Sequence, residues 1–404
     1  MTRFVIYLFP ALADVIIAAT MFVCSNRLAD AGKNKTQVAM VFTAWAAVYI
    51  ISNQVLARFV NSRNAAKMMI AANLFFTAIS VAFIIFKSVW GIYTFMAILA
   101  VASAMFFLPF QIFMKAAEPD KSRGVIRPVA LYTFAWSSGF AAGPFIAGFI
   151  YQWLNWQSCF VFTALLALLI AAGVKFLSHL ADHTETLPTS HSPTNANYQT
   201  MPDLAWLGWL VAGVGCLGVY LFLSLLPSVG VSFAIPKSQI GSMIATLYLV
   251  QAFVGLTLLR GRTWMFRTTP LLIFAAFGLL GLTCFAISLS PAVGNAELLN
   301  IPIRTIGLFA SVASYGIFSG SFFFALVFHS LVHPSRSARY IAVNETVVGA
   351  CGVIGPIIAG SMADNFGFLP FTTILIAIIA STALLQFIVI NRLPPSPAAK
   401  TLEN

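Results

Sequence analysis

The chain has 404 residues, of which 60% are hydrophobic and only 8% are charged. An ordinary soluble domain carries about 25% charged residues, and a soluble chain of this length could not bury so much apolar surface in one core. The composition excludes a soluble protein and predicts an integral membrane protein, so the net charge of +11 bears on orientation rather than on nucleic-acid binding.

Twelve apolar runs follow one another along the chain, centred near residues 14, 47, 77, 102, 139, 168, 216, 248, 280, 317, 350 and 379. Each is long enough to cross a hydrocarbon core of about 30 Å, which takes roughly 20 helical residues. The first run starts soon after Arg3, and no small-residue cleavage site stands out after it. We therefore expect a retained membrane span there rather than a removed signal peptide.

A polar segment divides the spans into two groups of six. Residues 180–204 are rich in Thr, Ser, Pro and Asn and show no helical periodicity, which is typical of a linker. The predicted domains are an N-terminal six-helix bundle (1–179), a cytoplasmic linker (180–204), a C-terminal six-helix bundle (205–393) and a cytoplasmic tail (394–404). The predicted fold class is an all-α polytopic membrane protein with twelve transmembrane helices in two pseudo-symmetric bundles.

Basic residues are distributed unevenly among the loops. With both termini in the cytoplasm, sixteen of the 22 Lys and Arg residues fall on the inner side and six on the outer side, as the positive-inside rule requires. We therefore expect a multi-pass protein of the cell membrane, in the simplest case a bacterial inner membrane, with both termini cytoplasmic.

The two groups of spans are copies of one another. Residues 35–58 align with residues 237–260 at a shift of 202, which pairs Lys35 with Lys237. Farther along the chain the shift is 212, and a longer loop near residues 291–304 absorbs the difference. This second register pairs Arg127 with Arg339, Gly143 with Gly355, Pro144 with Pro356 and Gly148 with Gly360. A parallel six-plus-six repeat is the construction of one major group of secondary transporters, whose substrate site lies near the midplane between the halves.

On these features the chain resembles the major facilitator superfamily over essentially its whole length. Residues 139–148, GFAAGPFIAG, are similar to the fifth-helix motif of that family, G-x-x-x-G-P-x-x-G-G, which is associated with exchangers. Ala147 stands at the penultimate glycine, and Ala130 stands where the family often has a further glycine. The resemblance implies the fold of this superfamily and transport by alternating access.

The same residues carry a physical argument of their own. Gly139, Gly143 and Ala147 form a small-residue stripe that lets a neighbouring backbone approach closely. Pro144 and Pro356 each remove a helical hydrogen bond and bend the helix. We expect this stripe and its repeat to form the surface on which the halves rock, and simple close packing is the alternative. The residues predicted for helix packing and gating there are Gly139, Gly143, Pro144, Gly148, Gly355, Pro356 and Gly360.

A second family motif, G-x-L-A-D-R-x-G-R-R after span 2, is only partly present in NQVLARFVNSRN. Leu56 and Ala57 fit, and Arg63 can stand for a terminal arginine, but Arg58 replaces the acid. In the family that acid is held to latch the cytoplasmic side. The resemblance therefore implies that the latch is missing here or is built from other residues, and Arg58, Arg63, Arg127 and Arg339 are the candidate gating cations.

Asp14 is the acid nearest the middle of the bilayer. It lies 11 residues past Arg3, about 16 Å along a helix. A charge at that depth costs at least about 3 kcal/mol, and such a carboxyl takes up a proton unless it is wet or paired. We predict that Asp14 couples transport to protons; a neutral acid that aids helix packing is the alternative. Its equivalent in the second half is Cys216.

Glu345 is the second acid inside a span, six residues past Arg339 and next to Asn344. A proton-coupling role and a structural role, in which Arg127 or Arg339 clamps the carboxylate as a gate strut, remain equally open. Lys and Arg are absent from the span centres, which disfavours an anionic substrate that would need a buried cation.

Polar and aromatic side chains at mid-span depth are the candidates for substrate binding. Pore-lining tryptophans would offer flat apolar walls with one donor each, whereas packed or lipid-facing ones would have no such role. The candidates are Trp45, Tyr49, Gln111, Tyr132, Trp136, Tyr220, Tyr248, Gln251, Tyr315 and Asn344.

Cofactor and metal chemistry are not predicted. The segment HSLVH, residues 329–333, has two imidazoles at metal-ligand spacing, but the acid of a zinc-protease motif is missing and the pair lies at a span end. No phosphate-binding glycine loop precedes a Lys-Ser pair, which excludes an ATP-driven pump. We expect no cofactor, no catalytic residues, no metal and no nucleic acid. The expected partners are the lipid bilayer, a small-molecule substrate and protons, and the expected oligomeric state is a monomer.

The leading functional hypothesis is a secondary active transporter that exports an amphipathic or weakly cationic compound in exchange for protons. The alternative within transport is proton symport of a sugar or nucleoside, whose pocket would need more hydrogen-bonding groups than Gln111, Gln251 and Asn344 supply. An intramembrane enzyme or a non-transporting sensor is disfavoured, because the acids are scattered and the longest polar stretch is the central linker.

Overall fold

The computed structural model describes residues 2–61, 63–117, 126–181, 202–258, 264–293, 296–298, 301–332 and 336–392. Of residues 2–6, 111–117, 126–130, 132, 179–181, 330–332, 337 and 338 it describes the backbone alone. Most of the predicted linker and the predicted tail lie outside the described residues.

Within that part of the chain, twelve long α-helices follow one another, and each predicted span centre falls inside one of them. They are α1 (Thr2–Asp30), α2 (Lys35–Leu56), α3 (Ala65–Ile85), α4 (Val89–Ala117), α5 (Ile126–Trp153), α6 (Trp156–Ala181), α7 (Ala205–Ser232), α8 (Lys237–Thr257), α9 (Thr268–Leu289), α10 (Ile303–Val332), α11 (Ser337–Phe366) and α12 (Leu369–Asn391). Eleven are long and apolar enough to cross a membrane over their described residues, α5 being the remaining one. The all-α polytopic fold is confirmed.

Short elements join the helices at their ends. Two 3₁₀ turns span Trp264–Phe266 and Pro291–Val293, and a small antiparallel hairpin pairs β1 (Glu297–Leu298) with β2 (Ile301–Pro302). We call the end of the molecule that carries this hairpin the hairpin face. The opposite end, where α6 ends and α7 begins, is the linker face.

Local sequence explains where several helices begin and end. The Asn34 side chain accepts from the backbone N–H of Gln37 at 2.8 Å, and the Gln37 side chain accepts from the N–H of Asn34, a capping box that starts α2. Gly32 after α1 and Gly367 after α11 both have positive φ, the conformation in which glycine most readily stops a helix. Tight turns on the hairpin face follow from these signals.

The packing of the helices follows the repeat. In the first half α1 packs on α5 and α6, while α3 packs on α4 and α6; in the second half α7 packs on α10 and α11, while α9 packs on α10 and α12. Two extensive contacts join the halves, α5 with α8 and α2 with α11. These two contacts are equivalent under the repeat, so the halves meet through the same pair of surfaces twice.

Candidate functional site

The centre of the molecule brings together ionisable side chains from both halves. Tyr49 of α2 lies within electrostatic range of Asp14 and Glu345, and Tyr220 of α7 lies within range of Tyr49 and Glu345. Tyr248 of α8 lies within range of Tyr220 and Asp14. Five of the residues predicted from the sequence therefore form one group, which we call the central cluster.

Asp14 lies at the contact between α1 and α5. Its side chain is 3% exposed, and it packs where α5 has no side chain, because a Cβ atom on Gly139 would lie 2.7 Å from the Cβ of Asp14. Among the atoms that the structure describes, Oδ2 of Asp14 has no hydrogen-bond partner. Buried polar atoms without a hydrogen-bond partner are rare in proteins. Oδ2 of Asp14 is therefore available to take up a proton or to accept a hydrogen bond from a ligand.

Glu345 differs from Asp14 in exposure. Its side chain is exposed, although Glu345 lies six residues past Arg339, about 9 Å along α11. Tyr49 and Tyr220, the two cluster members within its range, belong to different halves. Glu345 therefore lies between the halves, on the linker-face side of the central cluster.

The first half supplies one aromatic wall of the central cluster. The rings of Trp45 and Tyr49 stack one turn apart on α2, with centroids 4.6 Å apart and planes inclined by 11°. The indole N–H of Trp45 donates to Oγ of Ser103 on α4 at 3.3 Å, which fixes the orientation of the ring. Because Tyr49 is within range of Asp14 and Glu345, the stack presents a flat aromatic surface near both carboxyl groups.

A second aromatic group spans both halves. The ring of Trp136 on α5 lies edge-on to Tyr248 at 6.3 Å and to Phe323 of α10 at 5.2 Å. Phe140, one turn after Trp136, lies 5.3 Å from Tyr248. Sequence reasoning missed Phe140 and Phe323, since nothing distinguishes them there from the other 36 phenylalanines.

On the hairpin side of Asp14 the two halves are tightly packed. The cavity found there has a volume of only about 10 Å³ and is bounded by side chains of α1, α2, α5, α7 and α8, including Met21, Phe22, Ser25, Leu223 and Ile244. This is the volume of about one water molecule. The halves are therefore closed against each other on the hairpin side of the central cluster.

Three predicted binding residues are engaged in helix packing. Gln251 donates to Oγ of Ser137 at 2.8 Å and accepts from Ser319, which ties α8 to α5 and α10. The hydroxyl of Tyr315 donates to the carbonyl of Gly215 at 2.8 Å inside the second half.

Asn344 likewise accepts from the indole N–H of Trp209 at 2.7 Å and donates to the carbonyl of Leu326 at 3.2 Å. These hydrogen bonds hold helices together, and the structure does not bring Gln251, Tyr315 or Asn344 into the central cluster.

The remaining predicted residues lie outside the cluster or outside the described part of the chain. The side chains of Gln111, Arg127 and Tyr132 belong to the part that is not described. Arg58, Arg63 and Arg339 are exposed. Over the described residues none of these three forms an ion pair, so the clamp between Arg339 and Glu345 is not seen.

The glycine stripe of α5 has two different neighbours. Gly139 and Gly143 lie against α1 of the same half, where a Cβ on Gly143 would be 2.7 Å from the carbonyl oxygen of Val15. Gly148 lies against α8 of the other half, where a Cβ on Gly148 would be 2.8 Å from the carbonyl oxygen of Lys237. Gly148 follows Ala147 by one residue, about 100° around the helix, and therefore faces a different partner.

The repeat shows the same division, with Gly355 against Leu217 and Tyr220 of its own half and Gly360 against Thr36 of the other. The expectation that the stripe forms the surface between the halves is therefore corrected for its glycines, which face their own half. Gly148, Gly360 and Pro144, which lies beside Gly241, contact the other half.

Polar contacts between the halves on the hairpin face were not predicted. Nζ of Lys237 lies 2.6 Å from Oδ1 of Asp30, and Tyr151 donates to Oδ2 of Asp30 at 2.7 Å. Lys35 and Asp364 form a second pair across the halves. The sequence contained one indication of these contacts. The repeat pairs Lys35 with Lys237 and so places equal charges at the starts of α2 and α8.

Comparison with known proteins agrees with this architecture. A sequence model described as Major Facilitator Superfamily matches residues 4–328, which is well over half of the chain. No curated protein matches the chain. The twelve helices, the repeat and this match together show that the chain belongs to the Major Facilitator Superfamily, a family of multi-pass secondary transporters rather than enzymes.

Proposed function

We propose that the protein exports an amphipathic, weakly cationic solute in exchange for protons, with Asp14 as the proton-coupling group. The observation that carries the proposal is the position of Asp14, which is buried between α1 and α5, retains an unpartnered Oδ2 among the described atoms and lies within range of Tyr49 and Tyr248. A carboxyl group in this position can either bind a proton or, when ionised, interact favourably with a nearby cation.

The surroundings of the cluster favour a cationic substrate with flat apolar parts. The stacked pair Trp45 and Tyr49 and the edge-packed Trp136 offer aromatic faces, which attract cations as well as apolar rings. Glu345 adds a second carboxyl group at an exposed position. Among the described side chains, Gln251 and Asn344 are engaged between helices and leave few amide groups for a sugar or nucleoside, which disfavours symport.

The mechanism follows from competition for negative charge. With the linker face in the cytoplasm, as the basic residues predict, a cation enters between the halves past Glu345 and reaches the aromatic walls. Its positive charge stabilises the ionised carboxylate of Asp14 relative to the neutral acid, so the proton on Asp14 leaves as the solute binds. Two ligands that bind the same state with unfavourable coupling are exchanged rather than carried together.

The proposal is tested with purified protein in liposomes that contain a pH-sensitive dye. A panel of organic cations, with tetraphenylphosphonium as the first probe, is expected to drive proton movement opposite to the cation. Asp14→Asn should abolish this movement while the protein still inserts, and Cys216→Ser, at the equivalent position of the other half, should keep it.

Proton movement that is unchanged in Asp14→Asn would refute the coupling role. Proton movement in the same direction as an added sugar or nucleoside would indicate symport instead.

A further inference from the structure

The N-terminus of α2 is capped by a residue of the other half. The backbone N–H groups of Lys35 and Thr36 donate to the two carboxylate oxygens of Asp364 at 2.8 and 2.9 Å, and the Thr36 hydroxyl donates to Oδ2 at 2.6 Å. The first N–H groups of a helix have no partner within it, and a negative charge there interacts favourably with the helix dipole. Asp364, near the end of α11, therefore completes a helix 328 residues away.

The repeat places a second cap of this kind at α8. The backbone N–H of Lys237, the first residue of α8, donates to Oε1 of Gln152 at 2.9 Å. Gln152 and Asp364 are separated by the repeat shift of 212, and Lys35 and Lys237 by the shift of 202. Each half thus ends its proline-bent helix with a side chain that caps the second helix of the opposite half. We call these contacts the exchanged caps.

The exchanged caps exist only while the helix ends on the hairpin face are in contact. Beside one cap, a Cβ on Gly360 would lie 2.6 Å from the Cα of Thr36, and beside the other, a Cβ on Gly148 would lie 2.8 Å from the carbonyl oxygen of Lys237. Any separation of α2 from α11, or of α5 from α8, leaves helix N–H groups without these acceptors.

The two caps differ in charge. Asp364 is an anion that accepts three hydrogen bonds from α2 and lies 3.8 Å from Nζ of Lys35. Gln152 is neutral and makes one such bond, and the charge beside it comes from Asp30, which pairs with Lys237 at 2.6 Å. Hydrogen bonds to an ionised acceptor are roughly twice as strong as neutral ones, so Asp364 contributes more to closure than Gln152.

At the linker face, the position where the family has its acid makes no such contact in the described part of the chain. Arg58, the residue at the acid position of the loop after α2, is exposed and makes no ion pair over the described residues. Polar contacts therefore join the two halves at the hairpin face, and Arg58 makes no equivalent contact at the linker face.

From this asymmetry we propose that the exchanged caps are the latch that keeps the hairpin face closed at rest, with Asp364 as its principal positioning residue. The inference goes beyond the proposed function, because it holds for any substrate and any coupling ion.

The experiment measures the accessibility of a buried reporter in purified protein. In a background without the five native cysteines, Ser25→Cys places a thiol in the sealed region between the halves, where Ser25 is fully buried and borders the small cavity. A hydrophilic maleimide should label it slowly. Asp364→Ala removes three charge-assisted hydrogen bonds and should raise the labelling rate by at least about tenfold, the population change expected from the loss of even one of them. Gln152→Ala should raise the rate less.

A matched control is the next residue. Asn365 is exposed and donates to the carbonyl of Ser361 within its own helix at 2.8 Å, so Asn365→Ala should leave the rate unchanged. Parental labelling in Asp364→Ala would overturn the proposal. If that variant does not insert, Asp364→Asn and Gln152→Ala decide, and parental rates in both would overturn it. The assay needs no substrate and no gradient. Its result therefore does not depend on whether the protein exports a solute in exchange for protons.

Discussion

The contact between α1 and α5 and its repeat, the contact between α7 and α11, differ at their closest point. In the first half Gly139 has no side chain, and a Cβ there would touch the carbonyl oxygen of Ala11. In the second half Cys351 occupies the position of Gly139, and its thiol donates at 3.2 Å to the carbonyl of Gly213, the equivalent of Ala11. The second contact therefore accommodates a side chain that the first excludes.

The same comparison separates Asp14 from Cys216. Both are almost fully buried, at 3% and 1% exposure, but a carboxylic acid is much stronger than a thiol and loses its proton far more readily. Burying a carboxyl group here coincides with the loss of the facing side chain at position 139. The same scaffold in both halves therefore holds a carboxyl group at one contact and a thiol at the other.

The largest effect is expected when the contact between α1 and α5 is given the cysteine side chain that its repeat has at the equivalent position. Gly139→Cys would place a Cβ against the Ala11 carbonyl and 2.7 Å from the Cβ of Asp14, so α1 and α5 would have to separate. We expect transport to be lost, with reduced yield of inserted protein. The reverse change, Cys351→Gly, removes a small side chain with a weak hydrogen bond and costs about 1 kcal/mol in helix preference, so it should be tolerated much better.

Solute–proton exchange in liposomes, normalised to inserted protein, measures both variants. Normal exchange by Gly139→Cys would show that the two contacts are equivalent and that the bare position opposite Asp14 has no role.

A smaller effect is expected from the second carboxyl group. Glu345→Gln keeps the shape of the side chain and removes a charge between the halves. If Glu345 attracts the solute, the concentration that gives half-maximal transport should rise about tenfold, the effect of losing a charge about 12 Å away at an effective dielectric constant of about 20. Its repeat equivalent Thr133 is buried, and Thr133→Val should change this concentration little.

The concentration dependence of cation uptake into liposomes distinguishes the outcomes. An unchanged half-maximal concentration with a lower maximal rate would place Glu345 in the proton path rather than at the solute.

The sequence was sufficient to predict the scaffold but only part of the site. Apolar run length and the repeat determined the twelve helices, because each is a local or self-comparing signal. The depth of Asp14 could be predicted from its distance along the helix, but its burial against α5 could not. The roles of Gln251 and Asn344 could not, since a polar residue at mid-span depth faces either a cleft or another helix, and only its neighbours decide. Asp364 was missed for the same reason, because its partners lie more than 300 residues away.

The smallest effect concerns stability and compares two glycines that precede the bending prolines. A Cβ on Gly143 would lie 2.7 and 2.8 Å from backbone atoms of Val15 and Ala19, whereas on Gly355 it would lie 3.3 Å from side-chain atoms of Leu217 and Tyr220. Backbone cannot move aside as side chains can, so Gly143→Ala should cost about 1–3 kcal/mol and Gly355→Ala clearly less. Because both glycines lie within a helix and directly before a proline, the intrinsic helix preference of alanine and the constraint from proline cancel in the comparison. Thermal unfolding of the purified variants in one detergent measures the difference, and equal losses would mean that α7 and α11 approach as closely as α1 and α5.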